Sequence, residues 1–233
     1  MEVVSELWNA MAITGKTVVS VLAVLSIYSY AIMVDRFLAL RWSQQRSAEL
    51  AEQIEEATAN GLDLDNLLEQ VSQAVERGHC ALGAVLEAAL KEYRMLKGEG
   101  ESDEMVMEGV EVEVGRSLDV AVANLRARLP GVATIVGVAP FLGLFGTVTG
   151  LISAFRGIAT SGGGGLTEVS AGISEALVTT VIGLFVAMPA LWAYNFFMNR
   201  VDNLAIGLHN GASRLSAHLV RRMLRSERAK AEE

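Results

Sequence analysis

The chain has 233 residues, 52% of them hydrophobic, and a formal net charge of −8. The acidic balance argues against a nucleic-acid partner, which needs a concentrated basic face, and a single cysteine, Cys80, excludes an intrachain disulfide. Charges are missing from residues 17–34, 129–155 and 176–199, windows of 18, 27 and 24 residues, each long enough to cross a hydrocarbon core roughly 30 Å thick. A soluble enzyme is therefore not the default reading. A β-barrel, whose segments of about ten residues would alternate, is excluded. The expected fold class is an all-α membrane protein, with three transmembrane helices and long helical cytoplasmic extensions.

Residues 1–14 form the expected periplasmic N-terminal segment, a short interfacial helix with Leu7, Trp8 and Met11 on one side. Trp8 suits the headgroup level. The first transmembrane helix follows at 15–38, lipid-facing over much of its surface, with Tyr28 and Tyr30 deep enough to face protein. It is preceded by Glu2 and Glu6 and runs into Asp35-Arg36-Phe37 without a small-residue cleavage site, unlike a cleavable signal peptide.

The cytoplasmic region, 39–129, reads as helices. A solvated run from Ser47 ends near Asn60-Gly61. The next, 66–77, carries Leu67, Leu68, Val71 and Val75 on one face and stops at Gly78. His79-Cys80 has no second Cys/His cluster and makes a poor zinc site, so Cys80 is expected to be solvated or packed on a helix and no metal is expected. A third run, 81–96, carries Leu82, Val85, Leu86, Ala89 and Leu90. Beyond an acidic loop, Ser102 supplies half a capping box, because Met105 stands where an acid would complete it. From Asp103 the pattern Val106, Val110, Val114, Leu118, Ala121, Leu125 runs to Pro130. One long helix that enters the membrane, with any bend at Pro130, is expected. Then come the second transmembrane helix (130–158), a periplasmic loop (159–168) with a four-glycine turn, the third transmembrane helix (169–198) and a cytoplasmic C-terminal helix (199–233) with Val201, Leu204, Leu208, Ala212, Leu215 and Leu219 on one face.

Basic residues beside the spans set orientation. Of 19 lysines and arginines, all but Lys16 and Arg156 fall in the middle region or the C-terminal tail. That bias puts the N-terminus outside and the C-terminus in the cytoplasm.

At 100° per residue, Ala139, Gly143, Gly146, Gly150, Ala154 and Gly157 share a stripe about 80° wide on the second span. Gly172, Ala176, Gly183, Ala187 and Ala190 make a second stripe on the third. Small stripes let backbones approach where packing, not hydrophobicity, drives association in lipid, so the two spans are expected to pack as a hairpin. Thr147 and Thr180 sit at matched edges, each about 80° from its stripe's first residue. A span threonine often bonds only its own helix, but two at matched edges, with Thr179 adjacent, suggest a polar lining. Glu175 is the sharpest signal. An ionisable side chain within a span is costly and functional by default; the competing reading is simple hydration near the span's end. Gly143-Leu-Phe-Gly-Thr-Val-Thr-Gly lacks the Lys-Ser/Thr ending of a phosphate loop and lies inside a span. No nucleophile–base pair and no cofactor motif stands out, so neither catalysis nor a cofactor is expected.

Ala139-Pro-Phe-Leu-Gly-Leu-Phe-Gly-Thr-Val-Thr-Gly, followed by Ala171-Gly-Ile-Ser-Glu-Ala-Leu-Val-Thr-Thr-Val-Ile-Gly-Leu-Phe-Val-Ala-Met-Pro-Ala, resembles the MotA/TolQ/ExbB proton-channel family, in its TolQ/ExbB branch, which includes gliding-motor homologues. The resemblance implies a homopentamer in the bacterial inner membrane, in contact with lipid, around two copies of a single-span ExbD/TolR-like partner with a membrane aspartate. It matches Glu175 to the family's third-span glutamate, Thr147 and Thr180 to its pore threonines, and Pro140 and Pro189 to its span prolines. Two departures stand out: Ser170-Ala-Gly-Ile-Ser-Glu replaces the usual Ala-Pro-Gly-Ile-Ala-Glu, and Thr179 replaces an alanine. The expected function is a proton-channel or stator subunit that couples proton-motive force to mechanical work across the periplasm, for outer-membrane transport, envelope maintenance or gliding. The alternative is a non-conducting structural scaffold. A solute transporter would need inverted repeats and broken helices.

Overall fold

The computed structural model describes residues 8, 11, 13–59, 64–161 and 166–231. Six helices run through them: α1 (Ile13–Ala59), α2 (Leu64–Glu76), α3 (Ala81–Gly98), α4 (Asp103–Arg126), α5 (Leu129–Ser161) and α6 (Leu166–Ala231). The described residues contain no strand, and the all-α class holds. Stretches of α1, α5 and α6 are long and apolar enough to cross a membrane: Ile13–Glu55, Leu129–Gly157 and Gly172–Arg221. The expected N-terminal interfacial helix (apart from Trp8, Met11 and residues 13–14, which belong to α1), the stop at Asn60-Gly61 and the four-glycine turn lie outside the described residues.

The chain divides into two compact units. The first comprises residues 1–35 and 128–197, the second 36–127 and 198–233. In the first, Val18, Leu22 and Ile32 of α1 meet Val132, Ile135 and Ala139 of α5 and Val186, Ala187 and Ala190 of α6. The faces turned away are apolar and exposed: Val24 and Ile27 on α1, Phe141 and Phe155 on α5, Phe185 and Trp192 on α6. For helices in lipid this is the expected outside. Tyr28 and Tyr30 stay about half exposed, at 52% and 51%. The Tyr28 ring edge lies beside Gly131 of α5.

The single helix expected from Asp103 into the membrane is in fact two. α4 stops at Arg126; Ala127 is extended (φ −51°, ψ 143°), and Arg128 takes a left-handed φ of 68°. The cause is Pro130. Inside a continuing helix its ring would collide with the carbonyl of Arg126, and it has no N–H to donate. As second residue of α5 it needs no donor, because first-turn N–H groups have no intrahelical acceptor. The turn costs a non-glycine residue roughly 1–2 kcal/mol of left-handed strain. Arg128 also pairs with Asp35 at 2.9 Å.

The second unit has an ordinary side-chain core. Leu67 and Val71 of α2, Val85, Leu86 and Leu90 of α3, Val106 and Val110 of α4, and Leu208, Leu215 and Leu219 of α6 are buried, on the faces the periodicity assigns. Cys80 is packed on a helix rather than solvated. It caps α3, its sulfur accepting from the Gly83 N–H, and burial pushes its thiol pKa up. Ser102 caps α4, accepting from Met105 N–H at 3.3 Å. Gly78 ends α2 with a φ of 76°, which glycine adopts without strain. The Arg46 guanidinium donates to the carbonyls of Arg77 and Gly78, and His79 stacks at a tilt on Trp42, ring centroids 5.5 Å apart.

Candidate functional site

The α5–α6 seam of the first unit is backbone on backbone. A Cβ built on Gly143 would stand 2.9 Å from the Thr179 carbonyl oxygen and 3.0 Å from Thr180 Cα. One on Gly183 would stand 2.6 Å from the Ala139 carbonyl oxygen, and one on Gly146 2.8 Å from Thr179 Cβ. The remaining pairs continue the register: Gly150 faces Ala176 and Gly172 faces Ala154. The two stripes read from the sequence therefore interlock from Ala139 to Ala154. Gly157 lies beyond the contact, where an added Cβ would meet nothing within 4 Å. Pro140 and Pro189 sit inside α5 and α6, where each removes one helix hydrogen bond.

Close approach brings three threonine hydroxyls onto two carbonyls. Thr147 Oγ1 reaches the Gly143 oxygen at 3.1 Å and, across the seam, the Ala176 oxygen at 3.2 Å. Thr179 Oγ1 reaches the Ala176 oxygen at 2.7 Å and the Gly143 oxygen at 3.1 Å. Thr180 Oγ1 reaches the Gly143 oxygen at 3.2 Å and is hydrogen-bonded to Thr147 Oγ1, with either as donor. Each hydroxyl owns one proton, so it donates to only one of these acceptors at a time. The network has more acceptors than protons, and the Thr147–Thr180 pair can point either way.

The threonines are not equivalent. Thr147 and Thr180 are half-buried. Thr179 is 1% exposed and ties both helix backbones together. Part of the signal was present in the sequence: seven residues after Gly172, Thr179 lies about 20° from it by the 100° rule, flanking the stripe on the side opposite Thr180.

Glu175 precedes Ala176, on the side of α6 turned to α1. It is half-buried, and a Cβ on Gly15 would stand 2.7 Å from its Oε1. The seam residues Gly143, Gly146, Gly150, Gly172 and Gly183 thus join Thr147, Thr179 and Thr180, Glu175 stands one residue away facing α1, and Pro130 belongs to the start of α5. Sequence reasoning missed Gly15, a lone glycine with no periodic partner of its own kind. Among the described residues no group of three His, Cys, Asp or Glu side chains could hold a metal ion.

Residues 79–209 match the model of the MotA/TolQ/ExbB proton channel family. The chain is similar to the Tol-Pal system protein TolQ of Pseudomonas aeruginosa, 32% identical over 229 residues and 96% of each chain. It is similar to the Tol-Pal system protein TolQ of Haemophilus influenzae, 31% identical over 84% of this chain and 85% of the relative. It is also similar to the biopolymer transport protein ExbB of Pseudomonas putida, 27% identical over 90% of this chain and 66% of the relative.

Proposed function

The chain belongs to the MotA/TolQ/ExbB proton channel family, and from that premise we propose that it is the channel and stator subunit of a bacterial inner-membrane motor. In this reading five copies surround two single-span partners of the ExbD/TolR type, each bringing a membrane aspartate. The N-terminus is periplasmic and the C-terminus cytoplasmic, supported by the placement of all basic residues but Lys16 and Arg156. The work is done across the periplasm, on outer-membrane transport, envelope maintenance or gliding. The chain is not an enzyme in this reading; it carries protons and converts their fall into movement.

The observation that carries the proposal is the threonine network beside Glu175. Thr147 and Thr180 are half-buried and hydrogen-bonded through a pair in which either can donate. A proton carried by a partner's aspartate along this wall would meet hydroxyls that change between donor and acceptor by rotating, with no helix movement. Glu175 lies about two and a half turns into α6 and offers a titratable group towards that end of the helix. An elementary charge crossing the membrane releases about 2.3 kcal/mol per 100 mV, enough to bias one helix packing against another. The scaffold reading is favoured for one residue only: Thr179, buried and bonded to carbonyls of both helices, is a clamp.

Glu175 decides between the readings. Glu175→Gln keeps size and hydrogen-bonding atoms but cannot titrate; Glu175→Ala removes both. Both variants are expected to reach the membrane and assemble, and both to lose motor-dependent phenotype. A working Gln variant with a dead Ala variant would leave Glu175 as a hydrogen-bonding strut, and two working variants would leave it as a hydrated surface acid.

A further inference from the structure

The contact face of α1 in the first unit is a helical stripe: Gly15, Val18 and Leu22 are buried, at spacings of three and four residues, and Met11, ahead of the helix, is buried too. Three of the four positions are bulky. At the fourth the stripe is notched, because Gly15 has no side chain, and the notch is occupied by a carboxylate. Glu175 Oε1 stands 2.7 Å from where a Gly15 Cβ would be, and its Cδ 3.8 Å. Met11 Cβ lies 3.8 Å from the same point, so Gly15 is covered by the Glu175 carboxylate and Met11, while Ile13, 84% exposed, and Thr17 face outward.

Glu175 and Ala176 therefore face different helices. Ala176 packs on Gly150 of α5 and lends its carbonyl to Thr147 and Thr179, while the Glu175 carboxylate meets α1. We propose that Gly15 is a positioning residue for Glu175: the side-chain-free notch on α1 sets where the carboxylate stands relative to the threonine wall, so that α1 is part of the proton-handling apparatus and not only a lipid-facing anchor. The inference rests on the reading of Glu175 as a proton-exchanging group. Any other residue at position 15 places atoms where the carboxylate oxygen is. Since the obstructed atom is the far end of a flexible side chain, the carboxylate moves and the helices need not.

Gly15→Ala tests this in the full chain with its partner, reconstituted in liposomes under an imposed potential. The variant is expected to keep the oligomer and thermal stability of the wild type and to lose about a hundredfold in proton uptake, the scale of effect that follows when a reacting group is held about 1 Å out of place. Glu175→Asp withdraws the carboxylate by one methylene and clears the notch. In that background the same Gly15→Ala change is expected to cost less than about twofold. A separate readout needs no transport. Labelling of Glu175 by dicyclohexylcarbodiimide in membranes, followed by mass spectrometry, is expected to change in rate by about fivefold or more with Gly15→Ala. Wild-type uptake in Gly15→Ala, an equal loss in both backgrounds, lowered thermal stability or an altered oligomer, or unchanged labelling would overturn the proposal. Wild-type uptake in Glu175→Gln would instead remove the proton-exchange reading, whatever Gly15 does.

Discussion

The two units solve the same problem, holding long helices together, with opposite residue types. In the first, the α5–α6 seam is glycine and alanine against backbone, and its cross-links are hydroxyls on carbonyls. In the second, leucines and valines fill the core and charged pairs lie around it, Arg126–Asp202 exposed at 2.9 Å and Lys91–Glu87, with Glu87 partly buried, at 2.8 Å. The surroundings explain the contrast. Lipid is as apolar as leucine, so burying leucine between spans gains little and close packing decides. In water, burying a leucine is worth roughly 1.5–3 kcal/mol. The seam gives up that gain but brings backbone carbonyls within reach of side chains from the facing helix, which a leucine core cannot do.

Exchanging the residue types is the strongest way to break the comparison. Gly146→Leu puts four carbons where Thr179 already stands, with the first 2.8 Å from Thr179 Cβ. The seam cannot close, and purified protein is expected to lose its oligomer and its cooperative melt. An unchanged native mass and melting temperature would show that the seam is not a packing constraint. The reverse change, Leu86→Ala, opens a cavity in the second unit, where Leu86 is 1% exposed. It is expected to cost about 2–5 kcal/mol, read as a fall in melting temperature, with the seam intact.

These two positions also show why the units were unequally legible in the sequence. Leu86 belongs to an apolar stripe at helical spacing, and the α2, α3, α4 and α6 faces came out where that period put them. The seam was legible for the same reason, since small residues are also periodic. Thr179 is harder to place: its angle sets it at the edge of the stripe, opposite Thr180, and only the facing Gly146 shows how closely it packs between the two helices. Gly15 was invisible because a notch has meaning only with its occupant, and Glu175 lies 160 residues away. The α4–α5 break at Ala127 and Arg128 stands where the sequence pattern predicts one continuous helix. Proline can kink a helix or end one, and the periodicity of the residues before it does not say which.

A smaller effect sharpens the contrast without removing either packing mode. The double variant Thr147→Val, Thr180→Val keeps side-chain shape and deletes the two half-buried hydroxyls. The bonds lost are neutral and end on carbonyls that keep their helical partners, so stability is expected to fall by only about 1–2 kcal/mol in total. Membrane insertion and oligomer should be normal and motor output lost. Full output in the double variant would assign both hydroxyls to packing alone.

The smallest effect is a difference in pH response, and it comes from the second unit. The Glu87 carboxylate accepts a hydrogen bond from Lys91 and, at 3.0 Å, one from the Ser72 hydroxyl. The Lys91 bond leads in holding its pKa below the ordinary 4.5, against the opposing push of burial. A carboxyl whose folded pKa lies below its unfolded value binds fewer protons when folded. Its stabilisation is therefore complete above about 4.5 and is lost as pH falls through the lower folded value. Wild type is expected to melt above Glu87→Gln at pH 7, with the gap closing once the medium is acid enough to protonate the folded carboxyl. The gap between wild type and the double valine variant should stay constant over the same range, because hydroxyl-to-carbonyl bonds carry no titratable group. If the Glu87→Gln gap held steady through the acid range, the Lys91 and Ser72 bonds would not be what stabilises that carboxylate. If the double valine gap closed with it, the threonine seam would be coupled to a titrating group, and the division into a neutral seam and a charge-decorated core would fail.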